Sequence, residues 1–83
     1  MNRRFNAVVD LIWEERKRQM DKWGEQFHTN PVWMNILMEE VGEACQAVLH
    51  DMFGGSHAGT WKTEMIHVAA VAIQILEHSV EEK

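Results

Sequence analysis

The chain has a single cysteine, Cys45, so no disulfide can form within it. Cys45 falls in an apolar helical stretch, where a lone cysteine reads as a small packed hydrophobe rather than a nucleophile. Basic residues are scarce, 8 against 13 acidic ones, for a formal net charge of -5. That balance argues against a nucleic-acid polymer as partner. Long hydrophobic runs are missing as well. The longest, Val68 to Ile73, falls far short of the roughly 20 residues a membrane span needs. The basic start Met1-Asn2-Arg3-Arg4 is followed by no continuous apolar stretch, so no secretory leader is expected. The expectation is a soluble cytoplasmic protein that does not engage a membrane.

What is present fits one small domain spanning residues 1–83. A core of this size only marginally stabilises a monomer, and without disulfides the remaining route to stability is self-association. Glycine and the single proline punctuate the chain. Gly24 closes one segment, Pro31 opens the next, and Gly54, Gly55 and Gly59 mark a second break. Three helices are predicted, over about Arg4–Trp23, Pro31–Met52 and Thr60–His78, with no competing strand pattern. Thr29 or Asn30 can cap the second and Thr60 the third. In the first helix Phe5, Val9, Ile12, Met20 and Trp23 share a stripe, with Arg16 and Gln19 on or beside it. The third helix is apolar around nearly its whole circumference, apart from a narrow stripe of Thr63, His67, Gln74 and His78. Three helices cannot surround one of their own number, so that excess predicts a subunit interface. The expected fold is all-α. Helices two and three form an antiparallel hairpin, and chains assemble into a helical-bundle dimer or tetramer.

The chemistry-bearing residues sit on that hairpin. Positions i and i+3 share a helix face, so Glu40 points with Glu43 and Glu64 points with His67. A lone Glu-x-x-Glu is usually a solvated helix edge. Here a second pair follows on the next helix, embedded in apolar sequence, and carboxylates near a core need their charge compensated. A hard divalent cation does this, and oxygen ligands suit Mg²⁺ or Mn²⁺. Glu40, Glu43, Glu64 and His67 are therefore the candidate metal ligands, with Glu39 on the flank.

The run Glu39-Glu40-x-x-Glu43, followed after 20 intervening residues by Glu64-Met65-Ile66-His67, resembles the MazG-like branch of the all-α NTP pyrophosphatases. Their pattern is Glu-Glu-x-x-Glu followed by Glu-x-x-Asp. The upstream runs Glu15-Arg16-Lys17-Arg18-Gln19 and Lys22-Trp23-Gly24-Glu25-Gln26 are similar to short bacterial and phage members. The resemblance implies hydrolysis of nucleoside triphosphates to monophosphate and pyrophosphate, often of non-standard nucleotides, as house-cleaning. It also implies Mg²⁺ on Glu40, Glu43 and Glu64, a dimer or dimer of dimers, and a site lined by more than one subunit. Glu39 matches the extra acidic position and is expected, with Glu40, to serve catalysis by binding metal or orienting water. Arg16, Lys22 and Lys62 are candidates for the outer phosphates. Trp23 is a candidate to stack on the base, with Gln19 or Gln26 reading its edge; core packing and solvated side chains are the competing readings.

The chain departs from the pattern at His67, which stands where the family has Asp. His67 is open to three readings: a hydrogen-bond donor to phosphate or water, a direct ligand to a softer metal, or a structural residue. Two other functions fit the same residues. Glu64-x-x-His67 matches the Glu-x-x-His element of di-metal carboxylate four-helix proteins. A helical dimer that binds nucleotide without turnover is the other.

Overall fold

A computed structural model describes residues 2–81 and shows three helices: α1 over Arg3–Trp23, α2 over Asn30–Phe53 and α3 over Trp61–Glu81. Each boundary has a local cause. Asn2 Oδ1 accepts the Phe5 backbone N–H at 2.8 Å, and so satisfies one of the free donors at the start of α1. Gly24, at φ 70°, ends α1 and returns its N–H to the Met20 carbonyl. Thr29 stands at the N-cap of α2 in extended conformation, and Pro31 follows in the first turn. The Thr60 hydroxyl donates to the His57 carbonyl at 2.6 Å, so this side chain closes the connecting turn instead of capping α3.

The connection over 54–60 is held by the end of α2. The His50 ring Nδ1 accepts the His57 N–H at 2.9 Å, and Asp51 Oδ1 accepts the Gly59 N–H at 2.7 Å. Gly55 lies against that ring at φ 151°, where a Cβ would come within 2.5 Å of His50. Only glycine fits there.

α3 is the central element, packed against both α2 and α1. The α2–α3 pair is antiparallel. The Trp33 ring near the start of α2 meets His78 near the end of α3, with centroids 5.3 Å apart, and Glu40 and Glu43 lie opposite Glu64 and His67. Its core consists of Trp33, Ala44, Ala47, Ala70 and Val71. Ala47 and Ala70 are both 0% exposed, so the helices approach closely through methyl groups. A larger side chain there would overpack the seam, at a cost of roughly 1–3 kcal/mol.

α1 runs alongside α3 in the same direction, with Leu11 and Glu14 beside Thr63 and Ile66, and Met20 beside His78. Its inward face differs from the expected apolar stripe. Glu15 is buried, and Ile12, Arg16 and Gln19 are half-buried, while Phe5, Val9, Met20 and Trp23 stand exposed. Toward α3 this face presents Arg16, ion-paired to Glu77, and Glu15, 3.6 Å from the His67 ring. Large apolar side chains are exposed elsewhere too, among them Trp13, Phe53, Trp61 and Leu76. Among the described residues, no helix is long and apolar enough to cross a membrane.

Candidate functional site

The antiparallel hairpin brings the two i, i+3 pairs face to face. Glu40, Glu43, Glu64 and His67 each offer one ligand atom, and these four atoms lie within 4.8 Å of one another. Donors across an ion with bonds of about 2.1 Å stand about 4.2 Å apart, so the group matches a single cation with slight contraction. His67 Nδ1 is 3.4 Å from Glu64 Oε2 and 3.7 Å from Glu40 Oε2. Those two carboxylate oxygens are buried and have no hydrogen-bond partner. Buried oxygens without a donor are costly unless a charge meets them.

The electrostatics agree. Glu40 is pushed above the ordinary carboxyl value of 4.5, first by desolvation and then by the charge of Glu43, against an opposing pull from His67. Glu43 is also raised, by desolvation first and then by the neighbouring Glu64 carboxyl. Three carboxylates and an imidazole crowded together favour uptake of positive charge, whether a proton or a metal ion. The donor set of three oxygens and one nitrogen fits Mg²⁺ or Mn²⁺, with the imidazole the less usual partner for Mg²⁺. Glu39 is exposed and lies outside this group of four.

A fourth acidic side chain reaches the cluster from α1. Glu15 is 9% exposed, and its Oε1 stands 3.6 Å from His67 Nε2. Its carboxylate is gripped on its own helix by Arg18 Nε at 2.8 Å, Arg18 Nη2 at 2.7 Å and Gln19 Nε2 at 2.9 Å. The Arg18 hydrogen bonds hold it below the ordinary carboxyl value against the opposing effect of burial, and His67 adds to the lowering. In the sequence Glu15 stands only within the Glu15–Gln19 run, and no role follows for it from that run. A signal was available: Ile12, Glu15 and Gln19 follow helical spacing, with Arg18 three residues beyond Glu15.

Beside the cluster, α1 and α2 lean on α3 without closing on each other and leave a cleft of about 220 Å³. Arg16, Gln19 and Trp23 line it from α1, Trp33 and Glu40 from α2, and Gln74 from α3, with Gln26 at the link. Glu40 belongs to both the cleft and the carboxylate cluster, so the two are continuous. The cleft carries unsatisfied polar atoms. Gln19 donates its amide nitrogen to Glu15, and its Oε1 is buried without a partner, as is Trp33 Nε1. Trp33 packs in the core and lines the cleft at once. Gln74, on the narrow polar stripe of α3, is buried in the cleft wall.

The basic candidates divide. Arg16 lines the cleft and is ion-paired to Glu77. Lys22 lies outside the cleft lining, with Nζ 4.6 Å from the Trp23 ring centroid. Lys62 is exposed, forms no ion pair among the described residues and does not line the cleft. Comparison with protein-family models, curated proteins and solved structures returns no match.

Proposed function

We propose that the chain is a metal-dependent nucleoside triphosphate pyrophosphohydrolase of MazG-like type, converting a nucleoside or deoxynucleoside triphosphate and water to the monophosphate and pyrophosphate. The observation that carries this reading is the continuity at Glu40 between a carboxylate cluster and a cleft lined by indole and amide groups. A triphosphate needs the first and a nucleobase the second, side by side.

Glu40, Glu43, Glu64 and His67 would hold Mg²⁺ or Mn²⁺. Such an ion, when bound, neutralises the triphosphate and eases displacement at phosphorus. The chain's own groups do the rest. Trp23 offers its ring to the base, Trp33 backs the cleft wall from the core, and the free Oε1 of Gln19 offers an acceptor to the polar edge of the base. Arg16 lies at the cleft and would exchange Glu77 for a phosphate oxygen. Glu39, exposed beside the cluster, would orient the attacking water, and Glu40 would accept its proton as the phosphoanhydride bond breaks. Lys22 and Lys62 would reach the outer phosphates only by extending toward bound substrate.

A homodimer or homotetramer belongs to this reading. Trp13, Phe53 and Leu76 are 59%, 77% and 64% exposed in the single chain, more apolar surface than a lone small domain leaves uncovered. A cytoplasmic setting, with removal of non-standard nucleotides as the task, completes it. The imidazole within the cluster favours one second reading, a di-metal carboxylate protein, for which bound redox-active iron would be the mark. The deciding experiment assays pyrophosphate release from canonical and modified NTPs and dNTPs with Mg²⁺ or Mn²⁺. Release that Glu40→Gln abolishes is expected. Equal release from Glu40→Gln and the unaltered protein would overturn the proposal, and nucleotide binding with no release under any metal would leave a binding protein instead.

A further inference from the structure

We infer that Glu15 is a positioning residue that aims the His67 ring, with Nδ1 toward the ion shared by Glu40, Glu43 and Glu64, so that the site prefers a first-row transition ion over Mg²⁺. The inference rests on the metal site proposed above and assigns a metal class to it.

The geometry at His67 is directional. Its Nε2 faces Glu15 Oε1 at 3.6 Å, and its Nδ1 faces Glu64 Oε2 and Glu40 Oε2 at 3.4 and 3.7 Å. The last two atoms are the buried carboxylate oxygens without hydrogen-bond partners. A single Nδ1–H could serve only one of them, and neither distance is that of a hydrogen bond. Neighbouring ligands of one small divalent ion stand roughly 3–3.5 Å apart, close to the separations seen. Nδ1 and the two oxygens thus surround a common point.

The opposite edge of the ring is where a metal-binding histidine is normally oriented, through an N–H given to a carboxylate. Glu15 is built for that task. Three donors from Arg18 and Gln19 fix its carboxylate, and it is buried at the Nε2 edge of the ring. A carboxylate so fixed needs no further donor for its own stability, yet Oε1 is turned to His67. At 3.6 Å that contact is longer than a hydrogen bond; drawing Nε2–H onto Glu15 as a cation enters would leave the Nδ1 lone pair facing the cluster. Imidazole nitrogen is a weak partner for Mg²⁺, which favours oxygen, and a good one for transition ions.

The test is calorimetric titration of Mn²⁺ and Mg²⁺, without nucleotide, into the unaltered protein and into Glu15→Gln, His67→Ala and Glu64→Gln. Glu15→Gln is expected to weaken Mn²⁺ binding about 10–100-fold while Mg²⁺ binding stays within about threefold, and His67→Ala to do the same. Should Glu15→Gln fail to fold, Arg18→Gln, which releases the grip on Glu15, takes its place with the same expectation. In protein labelled with ¹⁵N-histidine and loaded with Zn²⁺, His67 should show Nδ1 as the ligand nitrogen and Nε2 still protonated. Ligation through Nε2, absence of ligation, or an unchanged Mn²⁺-to-Mg²⁺ ratio in both Glu15→Gln and His67→Ala would overturn the inference. If both ions bind and Glu64→Gln alone abolishes binding, the positioning role fails while the metal site stands. If neither ion binds the unaltered protein, the metal site fails and the inference with it.

Discussion

Glu15 on α1 and Glu40 on α2 approach the same imidazole from opposite edges, and their surroundings differ in kind. Glu15 receives three hydrogen bonds from its own helix and is held below its ordinary pKa. Glu40 has a buried oxygen with no donor and is pushed above its ordinary pKa. One carboxylate is complete within the folded chain; the other is complete only when a positive charge arrives. Side chains that serve the fold are satisfied by the fold, whereas a binding site keeps its groups unsatisfied and is destabilised by them. The ring of His67 lies on the border between the two.

Substitutions should separate the two carboxylates by sign. The largest effect is expected at the unsatisfied pole, where Glu64→Gln should lower pyrophosphate release at least ~100-fold with little loss of folding stability. An assay of release beside a thermal melt checks both halves, and a comparable loss of fold would collapse the distinction. Next comes Glu15→Gln, which removes the charge paired with Arg18 and leaves one acceptor oxygen where two met three donors. It should cost about 1 kcal/mol, a fall in Tm of about 4–8 °C for a domain of this size. Glu40→Gln should move the other way, raising metal-free stability by less than about 1 kcal/mol, because it removes a like charge from the cluster. A denaturant titration reads both variants.

The smallest effect is a difference in pH profile. Glu15 has a folded pKa below its ordinary 4.5, so its stabilising contribution is present above that value and is lost as pH falls through the folded pKa. Glu40 and Glu43 have folded pKa values above 4.5, so folding favours their protonated forms, and their contribution is lost as pH rises from that value through the folded pKa. Melts of the metal-free protein across acidic pH should show the acid-side decline flattened in Glu15→Gln. The decline on the neutral side should flatten in Glu40→Gln. Matching profiles for the two variants would erase the comparison.

Much of this arrangement was legible beforehand. Gly24, Pro31 and the glycines from Gly54 to Gly59 bracket the helices because backbone freedom and the missing proline N–H act locally. Glu40 with Glu43, and Glu64 with His67, were readable as pairs because helical periodicity alone puts them on one face. The face of α1 was not readable. Phe5, Val9, Met20 and Trp23 form the better apolar stripe, yet the single chain turns Glu15 and Gln19 inward instead. Apolar periodicity cannot register a carboxylate whose burial depends on Arg18 beside it and His67 52 residues away. Of the cleft, Arg16, Gln19, Trp23 and Gln26 were legible as candidate contacts, whereas the part of Gln74 and the shape of the gap that two helices leave above the third were not.

By itself, then, the sequence determined three helices, the two i, i+3 pairs that each share a helix face, and the histidine that breaks the acidic pattern. Each of these follows from interactions within a few residues along the chain. Only the tertiary structure decided that Glu15 joins the cluster, that Glu40 connects it to a cleft, and which oxygens go without partners. Those depend on how α1 and α2 settle against α3, where burial, hydrogen bonding and like-charge repulsion compete across distances that no local pattern encodes.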